Sequence, residues 1–228
     1  MSESFDPYSK NYNELVDQAI RHTGYDADNL VSAKLYKLKT LFPHLSQKPF
    51  QLLDFGCGVG NLFGHLKEFF PNTVYTGVDL SKDSLEKARS RFPADANFQE
   101  YDSLEWKNFQ YDLIFSAGVF HHIPHTDHAK IINKLYSLLN PEGKLVIWEH
   151  NPLNPVTQKI VKDCPFDKEA ILIPSKTLKH QFNRASLSNV QIIYTTFFPR
   201  FLSFLNFLDP YLGWLPLGGQ YLAIGQKD

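Results

Sequence analysis

At 228 residues the chain is long enough for one α/β domain with additions and demands no second core. Lysine and arginine total 23 against 24 aspartate and glutamate, a net charge of −1, so no broad positive field exists and nucleic acid is not expected as the main partner. The two cysteines, Cys57 and Cys164, make no disulfide framework, and the polar start MSESFDPYSKNYNE lacks a secretory core, which together point to a reducing, cytoplasmic setting.

Residues 5–42 carry apolar side chains at helical spacing, among them Leu15, Ala19, Ile20, Leu30, Leu35, Leu38 and Leu41. That spacing predicts two or three helices, broken near Thr23-Gly24 and ended by Pro43. Next comes LLDFGCGVGN, Leu52 to Asn61, read as a buried strand followed by glycines at 56, 58 and 60 where the next helix begins. A strand, a glycine turn and a helix make a nucleotide site in outline, because glycine lets a ligand approach the backbone and the helix start offers free N–H groups. The dinucleotide fingerprint G-x-G-x-x-G fails here: its third glycine would fall on Asn61 or Phe63. What stands instead is D-x-G-x-G-x-G, led by Asp54. A helix over 61–70 stopped by Pro71, a strand over 74–79 and a helix over 81–91 with Ser81 as N-cap follow. Strands at 98–102, 113–116 and 144–149 then alternate with helices, including one over 129–139. Alternation of this kind predicts a parallel sheet covered on both faces, with ligands at the carboxyl ends of its strands. Asp54, Asp79, Asp102, the Ser116 to His122 loop and Glu149-His150 should therefore share one rim.

The glycine turn, Asp79 in YTGVDLS, Asp102 in FQEYDSLEW, and the stretches YDLIFSAGVFHHIP and LNPEGKLVIWEHNP resemble, in order, the motifs of the class I S-adenosylmethionine-dependent methyltransferases. The resemblance covers 50–152 and extends to a bacterial small-molecule subgroup through EHNPLNPVTQKIVKDCPFD. It implies a Rossmann-like sheet, mostly parallel with an antiparallel last strand at 221–225, in one domain. Residues 1–46 would be a helical cap, 47–152 the cofactor half and 153–228 the acceptor side. It further implies S-adenosyl-L-methionine as cofactor, held by Asp54, Gly56, Gly58, Gly60, Asp79 and Asp102 with their neighbours Cys57, Leu80, Ser103 and Ala117. Asp79 would accept from both ribose hydroxyls, Asp102 from the adenine amino group, and Asp54 would fix the amino acid end. Taken singly, Asp79 and Asp102 read better as helix caps; the glycine spacing and the chain order turn the reading to cofactor contact. Tyr12 and Tyr25 in the cap read as packed aromatics or, by the resemblance, as parts of a lid.

His121 and His122, after the fourth strand, and His150, after the fifth, are the candidate catalytic residues, since histidine can take a proton from an acidic acceptor near neutral pH. The competing reading is that they only shape the pocket, and Glu149 is a further candidate base. His122, His125 and His128 are three apart, but Pro124 and a helix start intervene, so no metal set is assigned. Cys164 reads as a small packed residue.

Past Pro152, a helix is expected over 175–183 and a strand over 190–198. FFPRFLSFLNFLDPYLGWLPL, residues 197–217, is an apolar insertion between the last two strands, too interrupted to span a membrane. It reads as core, as the wall or lid of an apolar acceptor pocket, or as a peripheral membrane or subunit contact, with the wall or lid preferred. The expected function is methyl transfer to a small or lipid-like apolar acceptor, O-methylation first. The alternative is a non-catalytic binding protein of the same fold.

Overall fold

The computed structural model describes residues 6–93 and 96–228; residues 1–5, the start of the expected cap, lie outside the described residues. Seven strands form one sheet in the order β3-β2-β1-β4-β5-β7-β6. In chain order these are β1 (Phe50–Phe55), β2 (Thr73–Asp79), β3 (Asn97–Glu100), β4 (Tyr111–Ala117), β5 (Leu139–His150), β6 (Ser188–Thr195) and β7 (Gln220–Gln226). The first five pair in parallel, and β7 runs antiparallel to both β5 and β6. The expected mostly parallel sheet with an antiparallel last strand is what the chain forms.

Side-chain alternation along each strand builds two cores. Leu52, Leu113, Val146 and Trp148 face one side and pack with Leu35, Leu38, Leu62, Leu66, Leu85 and Ala88. Those partners come from α2 (Ala27–Leu41), α3 (Asn61–Phe69) and α4 (Lys82–Arg91). The next residues along the same strands, Leu53, Ile114, Leu145 and Ile147, face the opposite side and pack with Ile132, Leu135, Leu178 and Phe182. These belong to α5 (His125–Ser137) and α7 (Ser175–Arg184). Burial on both faces explains why neighbouring residues such as Leu52 and Leu53, or Leu113 and Ile114, are both apolar.

The cap comprises α1 (Tyr12–Ile20), broken from α2 by Gly24 with φ +78°, and α2 is capped by Asp26, whose side chain accepts from the Asn29 N–H. Ser81 caps α4 by accepting from the Ser84 N–H, as the sequence suggests. Several boundaries move. Pro124, with extended ψ 132°, starts α5 at His125 instead of 129, and β5 begins at Leu139 because Tyr111 pairs with it ahead of the register shift. β6 stops at Thr195, short of 198, because Thr196 adopts φ +62°, which breaks the ladder. After α6 (Pro155–Asp163) and α7, the apolar insertion forms a 3-10 stretch, Arg200–Leu208, and one helical turn, α8 (Asp209–Leu212), between β6 and β7. Among the described residues no helix is long and apolar enough to cross a membrane.

Candidate active site

β1 delivers Asp54 to the carboxyl rim, and the chain then turns through Gly56, Gly58 and Gly60 at φ +85°, +51° and +78°. Gly56 is required twice over, since a Cβ there would stand 2.2 Å from Val119 Cγ2. At Gly58 a Cβ would meet nothing within 4 Å, so the backbone faces open space that a ligand can enter. Gly60 occupies the N-cap of α3 without a side-chain cap, which leaves N–H groups of the first turn available. Asp79, at the end of β2, braces the turn: Oδ2 accepts from the Gly58 N–H at 2.8 Å and Oδ1 from the Ser81 N–H at 2.9 Å. Burial raises its pKa, and those backbone donors oppose the rise. Asp54 lies deeper and accepts from the Tyr75 hydroxyl at 2.8 Å. Burial, opposed by that bond, brings its pKa to about 7.

The structure gathers Asp54, Gly56, Cys57, Gly58, Gly60 and Asp79 around this turn. The Cys57 thiol is buried and its pKa pushed up by that burial. Leu80 is exposed beyond Asp79, and the exposed Asp102 and half-buried Ser103 follow β3, next in the sheet. Ala117 ends β4 on the other side of β1. The amino-terminal segment is tied close by: the Ser81 hydroxyl donates to Asp6 Oδ1 at 2.5 Å, and Asn61 Nδ2 to Asn13 Oδ1 at 2.7 Å.

Where β4 and β5 end side by side, a second constellation forms from side chains. Glu149 is 1% exposed, and its Oε1 accepts from the backbone N–H groups of Val119 at 3.1 Å and Phe120 at 2.8 Å. Its Oε2 lies 2.5 Å from His121 Nδ1. Beyond the ring, His121 Nε2 is 3.5 Å and His122 Nε2 3.1 Å from Asp167 Oδ1. The His150 ring stands 5.2 Å from that of His121, centre to centre. Burial alone would lower the His121 pKa, but Glu149 with Asp167 lifts it to about 10. Burial and the neighbouring His121 charge bring His150 down to about 4. Against burial, His121 holds Glu149 below its usual range, and His121 with His122 does the same for Asp167.

These placements alter the reading of the histidines. Both nitrogens of His121 face carboxylates and the side chain is 3% exposed, so of the candidate bases it is the one enclosed by its partners. His122 and His150 are half-buried and open to the rim. His125 and His128 turn away toward the carbonyls of Ile171, and of Phe120 and Ile123, so they do not converge with His122. Tyr12 stacks on Phe166 with ring centres 5.2 Å apart, and its hydroxyl pKa is raised by burial, then by Asp167, Cys164 and Asp79. Tyr25 sits farther out, where its hydroxyl accepts from Asn206 Nδ2 at 3.4 Å and the Gly24 carbonyl accepts from Arg200 at 3.2 Å. The apolar insertion touches the cap there, yet Phe201, Phe204, Phe207, Tyr211 and Trp214 are each 66–75% exposed, which removes the core reading.

The methyltransferase-domain family matches residues 53–145, which include the glycine turn, Asp79, Asp102, His121 and His122. This stretch is similar to the methyltransferase domain. The trans-aconitate 2-methyltransferase of Escherichia coli K12 is 39% identical over 95 residues, which make up 41% of this chain and 36% of that protein. The match thus spans only about a third of the curated relative. A SAM-dependent methyltransferase from Archaeoglobus fulgidus superposes with a TM-score of 0.67 at 19% identity, over 95% of this chain and all (100%) of that one. A possible histamine N-methyltransferase from Thermotoga maritima gives 0.69 at 17% identity, over 97% and 98% of the two chains. Human N-acetylserotonin methyltransferase in complex with SAM gives 0.66 at 15% identity, over 99% of this chain and 59% of that one. The fold is that of the class I methyltransferases, whose cofactor is S-adenosyl-L-methionine.

Within residues 53–145, the open face of Gly58 beside the half-buried Asp79 carboxylate leaves room at the backbone for that cofactor. Sequence reasoning missed Asp167. It lies in the loop after α6, outside the matched stretch, and reaches the rim because the Ile171 N–H donates to the His121 carbonyl at 2.9 Å. No spacing rule links residues 121 and 167. Tyr75 was also passed over, although its place at mid-strand one turn of alternation from Gly77 puts it over Asp54.

Proposed function

We propose that the protein methylates a small or lipid-like acceptor with an apolar body, O-methylation first, in a reducing cytoplasmic setting. S-adenosyl-L-methionine would supply an electrophilic methyl group on a sulfonium. Gly56, Gly58 and Gly60 admit it to the backbone, Asp79 accepts from its ribose hydroxyls, Asp54 pairs with its ammonium group, and Asp102, with Leu80, Ser103 and Ala117, borders its adenine. Asp79 and Asp54 contribute charge-assisted hydrogen bonds, each worth roughly 1.5–3 kcal/mol. Tyr12 and the cap exclude water from the reacting centre, which strengthens these interactions. The acceptor enters beside His150 and His122.

One observation carries this reading: the open Gly58 backbone braced by Asp79, within reach of a second, buried set of histidines and carboxylates on the same rim. The apolar body of the acceptor rests on the aromatic row 201–214, whose exposed Trp, Tyr and Phe side chains suit an apolar molecule or a membrane surface at its edge. The relative's named acceptor, trans-aconitate, is a small carboxylate, and a carboxylate oxygen is a second candidate for the methylated atom. The test is thermal unfolding with and without S-adenosylmethionine, followed by S-adenosylhomocysteine release over a panel of hydroxy and carboxy compounds. Cofactor at one hundred times its Kd should add about 2.7 kcal/mol, a shift of roughly 5–11 °C. No shift, or a shift with NAD alone, overturns the reading.

A further inference from the structure

The second constellation does more than hold histidines in place. His121, His150 and Asp167 each offer a ligand atom, and these atoms all lie within 4.8 Å of one another. Two ligands bound at about 2.1 Å with a tetrahedral angle are about 3.4 Å apart, and His121 Nε2 lies 3.5 Å from Asp167 Oδ1. Asp167 Oδ1 is fully buried between two imidazoles, His121 Nε2 at 3.5 Å and His122 Nε2 at 3.1 Å, which meet it as ion pairs without a well-aligned hydrogen bond. The other side of His121 is prepared as well: Glu149 takes Nδ1, and Glu149 is itself fixed by two backbone N–H groups. A carboxylate behind a histidine fixes the tautomer that presents Nε2 and is the usual support behind a metal-bound imidazole.

We propose that His121 Nε2, His150 and Asp167 Oδ1 bind a divalent first-row transition-metal ion at the acceptor end of the rim, with Glu149 orienting His121. Two imidazoles and one carboxylate suit zinc, iron, cobalt or manganese and leave positions open. His150 is half-buried, so the open side faces the rim. His122, 3.1 Å from the same Asp167 oxygen, stands at its margin. An oxygen of the acceptor would take an open position, where the ion lowers its pKa and its proton leaves to water. This use of the ion rests on the methyl-transfer reading; its binding does not.

The test uses the full chain, stripped with a chelator and titrated with Co²⁺ alone. One equivalent should give visible d–d absorption bands, abolished by one equivalent of Zn²⁺. His150→Ala is the decisive variant, because the hydrogen bonds that hold Glu149 run to Val119, Phe120 and His121 and not to His150; it and Asp167→Asn should weaken Co²⁺ binding by more than a hundredfold. Glu149→Gln should weaken it about 10- to 100-fold. The thermal shift with S-adenosylmethionine, measured on each variant, certifies that it is folded. Absent bands in the wild-type protein, or bands unchanged by His150→Ala, overturn the metal site. Normal bands without any shift by S-adenosylmethionine support the site and overturn the methyl-transfer reading instead.

Discussion

Replacing Asp79 by asparagine separates two jobs that one carboxylate performs. Its oxygens accept from the Gly58 and Ser81 N–H groups, at 2.8 and 2.9 Å, so an amide must turn its NH2 toward one of them. That leaves one backbone donor facing another donor, a cost of roughly 1–3 kcal/mol. For a chain of this size the corresponding loss in Tm is roughly 2–12 °C. The cofactor suffers separately. One ribose hydroxyl loses its acceptor and the other keeps only a neutral one, which together amount to roughly 2–4 kcal/mol, or about 30- to 1000-fold in Kd. Calorimetric titration with S-adenosylhomocysteine reads the second effect, and thermal unfolding without ligand reads the first. A Tm lowered as stated with an affinity changed less than threefold would refute the ribose assignment while leaving the brace intact. An unchanged Tm would refute the brace.

Gly56→Ala and Gly58→Ala should part company. The first meets Val119 at 2.2 Å in a left-handed conformation and should cost roughly 2–5 kcal/mol in urea unfolding, whereas the second meets nothing and should cost about 1–2 kcal/mol yet weaken the cofactor more than tenfold. Equal stability losses would sink this distinction. Asp54 has a pKa raised from 3.8 to about 7, so the folded state keeps a proton that the unfolded chain has released. Its contribution to stability is therefore full below about pH 4 and is lost as pH rises to about 7, a trend that Asp54→Asn should flatten in melts between pH 5 and 8. Because an ammonium group prefers the ionised form, S-adenosylmethionine affinity should rise with pH up to about 7 and then level; a flat profile in the wild type would refute the pairing. Glu149→Gln breaks a buried pair with His121 and should cost about 3 kcal/mol, measured as a Tm lowered by roughly 6–12 °C. A loss under 1 °C would show that the pair holds nothing. Phe204→Ser with Trp214→Ser removes exposed side chains and should leave Tm within about 1 °C, but raise KM for an apolar acceptor; an unchanged KM counts against the aromatic row as its contact.

The cofactor half was legible because its chemistry is written in consecutive residues. Three alternate glycines after a strand can only turn the chain with left-handed φ, and an acid at the end of the next strand must arrive beside them, because β2 lies next to β1. One element boundary slipped where a single dihedral decides it, at Thr196, which adopts positive φ with no glycine to announce it. The acceptor half was only partly legible. His121, His122 and His150 were placed correctly at the rim, but which of them an acceptor can reach depends on Asp167, brought in by a loop whose anchoring bond is backbone to backbone and carries no residue signature. The insertion 197–217 announced its apolarity but not its direction, since a 3-10 stretch has neither the helical nor the strand period on which facing is read.

This difference in legibility follows from how the two halves are built. The cofactor side is made of backbone: N–H groups, φ angles and one carboxylate that ties two loops. The acceptor side is made of side chains from four separate segments, the β4 loop, the end of β5, the loop after α6 and the cap, which meet only in the folded state. Val119 of the β4 loop packs against Gly56, but the hydrogen bonds of Glu149 run to Val119, Phe120 and His121 and not to Gly58 or Asp79. The two halves should therefore be separable by mutation. Variants of His150, Glu149 or Asp167 should change which acceptor is used, or whether one is, at constant affinity for S-adenosylhomocysteine. Variants of Gly58 or Asp79 should lower that affinity whatever the acceptor. Tyr12 is the exception that tests the rule: stacked on Phe166, and with a hydroxyl pKa raised by burial and then by the charges of both Asp167 and Asp79, it bears on both halves, and Tyr12→Leu should impair cofactor affinity and turnover together.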